Sequence, residues 1–467
     1  TITNGRGILR QQSQAIAQRS VRFVTLLATI GLGACATSYE PRPLVPDVDL
    51  QEVQTKTIDD VTVSVAILTD EQAKQHFGAD LAKNGLQALY IKVRNESDRR
   101  LWFIRNTVDP DFYSPDEAAV LLKDALSGDD FEALRQHLRD ESIRIQHRPL
   151  TITEGFLYLP RVEGGRYVDI RLGGDVYETD DEDALNAGWL NEVRFGFAVP
   201  LPDGLFDYEK LDAAHTYGDL ELPDIEDPEA LRIHLEELPC CAMDSDGDEL
   251  GDPLNVVLIG NSQDVLTALT RSGWSFTHRI TLATAGRLAG AVIGGDAYPV
   301  APVSNLYLFG RKQDFALQRA RPTISQRNHT RFWLAPFTFQ GTQVWIGQVS
   351  RDIGVKVTPN SPSLTTHIID PEVDLTREYL LHSLLDAGLV AGFGFVKGSR
   401  YAPRDEPAVN LGNDPYFSDG LRLVIGLSSH PRPYHEVRSM RWEQSAAPLA
   451  EGQTESAERY VRPVEDE

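Results

Sequence analysis

Between residues 58 and 68 every second position is apolar. Val61, Val63, Val65 and Ile67 fall on one face, the period-2 pattern of a half-buried strand. Strands are also expected over 86–94 and 101–104, with Asn95-Glu96-Ser97-Asp98 supplying turn chemistry between them. Ser114 then stands as an N-cap, Pro115 as the first helical residue and Glu117 as the partner of a capping box, and a second helix is expected over 131–139. Strand patterns return at 155–159, 167–172 and 193–199. A run of strands with inserted helices predicts an antiparallel β-sandwich-like domain over 51–210 with a helical insertion.

The second half has another texture. Asp227 and Pro228 open a short helix to about Glu237, and 255–259 reads as a buried strand. Ser262 is expected to cap a helix that runs to Arg271 and stops at Gly273. The small-residue stretch 283–295 reads as a helix against a neighbour or a loop, and it is too short to span a membrane. Strands are expected over 306–309, 329–339 and 343–352, and Asp370 and Pro371 open a helix to about Asp386. The class is α+β. The C-terminal mixed α+β domain is placed at 255–431, after an acidic linker at 211–254 and before a disordered tail at 432–467. Gln340-Gly341 suits a two-residue type I′ turn that pairs Phe339 with Thr342. Counted outward, that register sets His329 opposite Asp352 and Arg331 opposite Ser350. Pro336, which cannot donate to a ladder, marks a bulge or an edge.

Charge changes the picture at both ends. The chain carries −24, which removes the basic footprint that nucleic acid requires and disfavours adhesion to anionic lipid by overall charge. Yet Arg6, Arg10, Arg19 and Arg22 are the only charges in the first 34 residues, and without them the remainder stands at −28. Behind them lies an apolar run over 23–34, the length of a signal-peptide core rather than of a membrane span. It ends in Leu32-Gly33-Ala34-Cys35, which resembles the lipobox of bacterial lipoproteins. The resemblance implies cleavage of 1–34, lipid (palmitate among it) on Cys35, and a membrane-anchored protein of the bacterial cell envelope. Ala36 after the Cys resembles outer-membrane sorting in diderm bacteria. Residues 35–50, with Pro41, Pro43 and Pro46, would then be an extended tether.

Two features near residue 245 carry chemistry. Asp244, Asp246 and Asp248 have the alternate spacing that aims carboxylates at one hard cation; a loop holding calcium and an unliganded acidic turn both fit. The loop departs from an EF-hand: Glu249 stands where the turn glycine belongs and Asn255 where the bidentate Glu belongs. Cys240 and Cys241 are adjacent; two thiols in a turn and a vicinal disulfide both fit.

The densest charged constellation lies between 305 and 377. Arg327, His329, Arg331 and Trp333 share one face of a strand, and Asn328, Thr330, Phe332 and Leu334 the other. Arg311 and Asp314 precede them; Asp352, His367, Asp370, Asp374 and Arg377 follow. Leu306-Tyr307-Leu308-Phe309-Gly310-Arg311-Lys312-Gln313-Asp314, Arg327-Asn328-His329-Thr330-Arg331-Phe332-Trp333, Val344-Trp345-Ile346-Gly347 with Asp352, and His367-Ile368-Ile369-Asp370-Pro371-Glu372-Val373-Asp374 occur in that order. Together they resemble the LssY C-terminal domain over roughly 255–400. The family often has a second His where this chain has Asn328. It is sometimes described as secretion-related, and the resemblance implies no particular reaction. Two functions fit these residues. In one, His329, Asp352, His367 and Asp370 catalyse hydrolysis of a phosphorylated or lipid-like anionic substrate held by Arg311, Arg327 and Arg331. In the other, the same residues form a salt-bridge network inside a binding or envelope-structural module. No Gly-x-Ser-x-Gly, phosphate loop or His-Glu-x-x-His motif is present.

Overall fold

The computed structural model describes residues 39–50, 53–123, 126, 128–162, 166–174, 192–199, 211–277, 303–320, 327–357, 365–440 and 442. The leader with Cys35, the acidic run 180–183, the stretch 283–295 and the chain beyond 442 lie outside the described residues.

Helices and strands are mixed throughout, as an α+β reading requires. The first half builds two antiparallel sheets of four strands. One orders β1 (Gln54–Ile58), β2 (Val61–Ile67), β3 (Leu86–Asn95) and, beyond β4 (Leu101–Phe103) and β5 (Gln146–His147) in the chain, β6 (Thr151–Pro160). The other runs β5, β4, β7 (Arg166–Gly174), β8 (Glu192–Val199). Both sheets feed one apolar core: Val61, Val63 and Val65 come from the first, and Val168, Ile170 and Leu172 from the second. The outer face of the first sheet is covered by helices α1 (Asp70–Phe77), α2 (Pro115–Leu121) and α3 (Asp129–Asp140), through Phe77, Ala118, Leu134 and Leu138. The Ser114–Glu117 capping box forms with both reciprocal bonds, and Thr69 caps α1 in the same way.

The stretch 39–50, expected as an extended tether, lies against this helical layer. Leu44 is buried there, Tyr39 and Leu50 pack on the same cluster, and Pro46–Asp49 forms a helical turn.

The expected linker 211–254 is also built into the fold. Helix α4 (Pro228–Glu237) begins after the Asp227 cap, and β9 (Cys241–Met243) pairs with β10 (Leu250–Pro253). Cys240 and Cys241 form a vicinal disulfide in the turn between α4 and β9. A ten-stranded sheet follows. Its main path runs from Ser275–Phe276 through β12 (Phe315–Ala320), β13 (Arg327–Phe339) and β14 (Thr342–Val357), continues to β11 (Val256–Ile259), and ends with three strands from the C-terminal part of the chain. β15 (Thr365–Ile369) also pairs with β14; the last three are β17 (Ser418–Leu427), β16 (Val390–Ala402) and β18 (Arg438–Ser439). β11 lies antiparallel to β14 and parallel to β17. The first part of the expected disordered tail is built into the fold: 438–439 adds a strand to the β16 edge, and Met440 and Trp442 pack on the core. Backbone pairing at an open edge needs no apolar run, so composition does not reveal it.

Two caps fall elsewhere than expected. Asn261, not Ser262, caps α5 (Ser262–Arg271) by accepting the Asp264 N–H. Helix α6 (Val373–Asp386) starts two residues beyond Pro371 with no side-chain cap, and Asp370 instead accepts the Glu372 N–H.

Both faces of the large sheet are covered. Phe332, Leu334 and Trp345 join the core that holds Val61 and Val168, so the two halves share one apolar interior. On the other face Trp333, Phe337 and Ile346 pack under Leu231 and Leu235 of α4. Asp169 binds Arg194, whose second arm reaches Asp264 of α5 at 2.5 Å and Thr267 at 3.0 Å, tying the first half to the second.

Candidate functional site

The polar row of β13 is buried on both faces. Arg327, His329 and Arg331 are 3–5% exposed, and Asn328 and Thr330 are no more exposed than that. Such a row needs internal partners, and the hairpin supplies them. Gln340 and Gly341 both have positive φ, as the expected turn requires, and Phe339 pairs with Thr342. Beyond Thr338 the register slips: Leu334 pairs with Trp345, so 335–337 on β13 stand against Val344 alone. Two extra residues are accommodated around Pro336 rather than one. His329 is therefore opposite Ser350, Arg331 opposite Gln348, and Arg327 opposite Asp352. The expected direct opposition of His329 and Asp352 does not occur. A slip of two preserves the face, however, and the pair still meets diagonally.

The resulting chain of contacts is ordered. Arg327 Nε donates to Asp352 Oδ2 at 2.8 Å, and its Nη1 donates to Gln318 Oε1 at 2.5 Å. Asp352 Oδ1 stands 3.4 Å from His329 Nδ1, and His329 Nε2 lies 2.8 Å from Ser350 Oγ. Gln348 Nε2 donates to Ser350 Oγ at 2.7 Å, and its Oε1 accepts from Arg331 Nη1 at 2.8 Å. Arg331 also donates to the Ser304 carbonyl at 3.0 Å and lies 3.8 Å from Asp252. Burial raises the Asp252 carboxyl above its usual range and lowers Arg331 below its own, so their separation leaves part of both desolvation penalties in place.

The remaining expected site residues go elsewhere. Arg311 binds Asp314, the Leu334 carbonyl at 2.6 Å and the Tyr217 hydroxyl at 3.2 Å, which fastens the 311–314 turn to β13. The expected three-arginine anion clamp is thus divided, and each member has partners within the chain. Asp370 lies 3.9 Å from Arg351, whose Nε donates to Asn328, so it belongs to the face away from His329. His367 is on β15 opposite Val355, and its side chain lies outside the described residues.

In the acidic turn Asp244 Oδ1 accepts the N–H groups of Asp248 and Glu249, which closes the turn between β9 and β10 on itself. Asp244, Asp246 and Asp248 are not among the groups of described residues whose ligand atoms all lie within 4.8 Å of one another. Among the described residues, one cluster has three donor atoms within 4.8 Å of one another: His76, His137 and Glu141. No local sequence pattern marks it. His137 and Glu141 have helical i,i+4 spacing, but His76 comes from α1. Its chemistry opposes a metal. Leu44 N–H donates to His76 Nδ1 at 3.0 Å, which puts the proton of a neutral ring on Nε2, 3.4 Å from Glu141. A metal at Nε2 needs that lone pair, and neutral imidazole offers only one. With Tyr39 Oη 2.6 Å from His137 Nδ1, the cluster fastens 39–44 to the helices.

Ser350, expected only as the cross-strand neighbour of Arg331, joins Gln348 and Gln318 as a partner in this network. Ser350 was legible, because it stands two residues from Asp352 and shares its face. Gln318 lies on another strand, which local pattern cannot align.

Residues 235–421 match the family model described as LssY C-terminus. The chain therefore carries an LssY-like C-terminal domain, and the match begins before the expected 255, taking in the end of α4 with β9 and β10. No curated protein matches the chain.

Proposed function

We propose that this protein is a lipid-anchored component of a bacterial cell envelope, with a β-sandwich-like first domain and an LssY-like domain that acts as a binding or structural module. The Leu32–Cys35 lipobox behind its apolar run supports the anchor. One observation carries the role of the LssY-like domain. The residues best suited to chemistry are 0–5% exposed at Arg327, His329, Arg331, Gln348, Ser350 and Asp352, and they bind one another. Groups that hold each other in this way keep a strand hairpin in register; they do not present charge to a ligand.

A second reading has one specific observation behind it. Ser350, His329 and Asp352 follow one another in the order of a serine hydrolase relay, with Arg327 holding the far carboxylate oxygen. One experiment separates the two. Asp352→Asn leaves Arg327 buried without its counter-charge, which in the structural reading lowers unfolding stability by about 3–5 kcal/mol. A fluorophosphonate probe should leave the wild type unlabelled. A near-native melting temperature for Asp352→Asn, together with probe labelling abolished by Ser350→Ala, would establish the relay instead.

A further inference from the structure

The surface between β5 and β6 runs against the character of the chain. A groove of about 460 Å³ opens there, lined by Arg144, Arg148, Ile145 and Ile152 among others, and no acidic residue lines it. This occurs in a protein carrying −24 overall. Arg105 lies close enough to Arg144 that, after burial, the Arg144 charge is the next cause lowering its affinity for the proton. Its Nη2 donates to the Ile143 carbonyl, while its buried Nε has no hydrogen-bond partner among the described residues.

Apolar groups rim this cationic groove. Ile145 and Ile152 of its lining are 45% and 50% exposed, and Leu150, which stands in the chain between the lining residues Arg148 and Thr151, is 79% exposed. Leu150 also holds φ at +54°, a conformation that a branched side chain avoids. A strained backbone that presents a bare leucine brings the folded monomer no packing in return. Guanidinium groups set among protruding aliphatic side chains match a bilayer interface, where phosphates lie above acyl chains.

The position in the chain agrees. Four residue steps join Cys35 to Tyr39, a reach of at most about 14 Å. Tyr39 is hydrogen-bonded to His137, and Glu141 of the same cluster lies three residues before Arg144. An acyl chain on Cys35 would therefore hold this corner close to the membrane rather than on a long leash.

We propose that the groove at Arg144 and Arg148, with Leu150 and Ile152, docks on the anionic phospholipid headgroups of the membrane that carries the anchor. Its placement rests on the lipid-anchor reading; its lipid binding does not, and the two are tested apart. The full chain carrying Cys35→Ser, which cannot be acylated, is sedimented with vesicles of phosphatidylcholine alone or with phosphatidylglycerol added. It should bind the anionic vesicles, less at high salt. Arg144→Glu with Arg148→Glu should weaken binding at least ~tenfold. Leu150→Asp should weaken it too, with all variants keeping the parent's melting temperature. Binding that ignores phosphatidylglycerol, or is unchanged in the charge-reversed variant, would overturn the proposal. Failure of Cys35 to take lipid in cells would remove the anchor and leave this vesicle result standing.

Discussion

His147 shows what one buried ring does to a whole chain. It is fully buried on β5, and neither ring nitrogen has a hydrogen-bond partner among the described residues. Burial pushes its pKa down to about 4 from the usual 6.5. Between those values the unfolded chain binds a proton that the folded chain refuses. Stability is therefore complete above about pH 6.5, falls as pH drops, and levels off below about 4. A shift of this size corresponds to about 3 kcal/mol. His147→Phe should flatten the fall in urea midpoint between pH 7 and pH 4.5. An unchanged pH profile would show that other groups set the acid response, for example His137, which burial also lowers. At this scale much was legible. The alternating Arg327, His329 and Arg331 mark a polar row, and Asp352 marks its partner. That the row is closed could not be read, because burial of both sheet faces depends on segments far away in the chain.

Among the elements, α4 shows a cap that no local motif announces. Its C-terminal carbonyls are met from across the fold by Arg422 of β17, which is fully buried and has no carboxylate among its hydrogen-bond acceptors in the described residues. Its guanidinium bonds the carbonyls of Leu235, Leu238, Pro239, Leu254 and Gly398. A cation at a helix C-terminus opposes the negative end of the dipole, and burial still lowers the arginine pKa to about 10. Arg422→Met should cost at least ~3 kcal/mol, because several buried carbonyls lose their donor together. Arg422→Lys should rescue little, since a point charge with three donors cannot span a planar fork of five. Guanidinium unfolding checks both; a lysine variant as stable as the wild type would refute the fork argument. The same scale explains the hairpin. Turn chemistry at Gln340-Gly341 was readable, and so was trouble at Pro336, but not that the bulge takes two residues rather than one.

At the scale of the molecule, one apolar interior runs through both halves, and the Asp169–Arg194–Asp264 chain crosses between them. No helix among the described residues is long and apolar enough to cross a membrane. The anchor proposed above is the lipid on Cys35, and it has its own test. Metabolic labelling with a palmitate analogue should mark the wild type and spare Cys35→Ala; equal labelling of both would place the lipid elsewhere or exclude it.

The sequence by itself determined what is local. The period-2 apolar run at Val61, Val63, Val65 and Ile67 specified β2. The Ser114–Glu117 box specified the start of α2, and Asp227-Pro228 the start of α4. Four ordered motifs marked the LssY-like domain. These signals act within a turn or a strand pair, where neighbours in the chain are neighbours in space. Only the tertiary structure decided the rest. It brought His76 to His137 and Glu141, Gln318 beside Arg327, and Arg422 beneath α4. It turned Asp244 inward onto its own turn and separated Arg311 from Arg331. Each of these depends on which distant segment fills the space around a side chain, and burial and hydrogen-bond partners are set by that filling rather than by spacing along the chain.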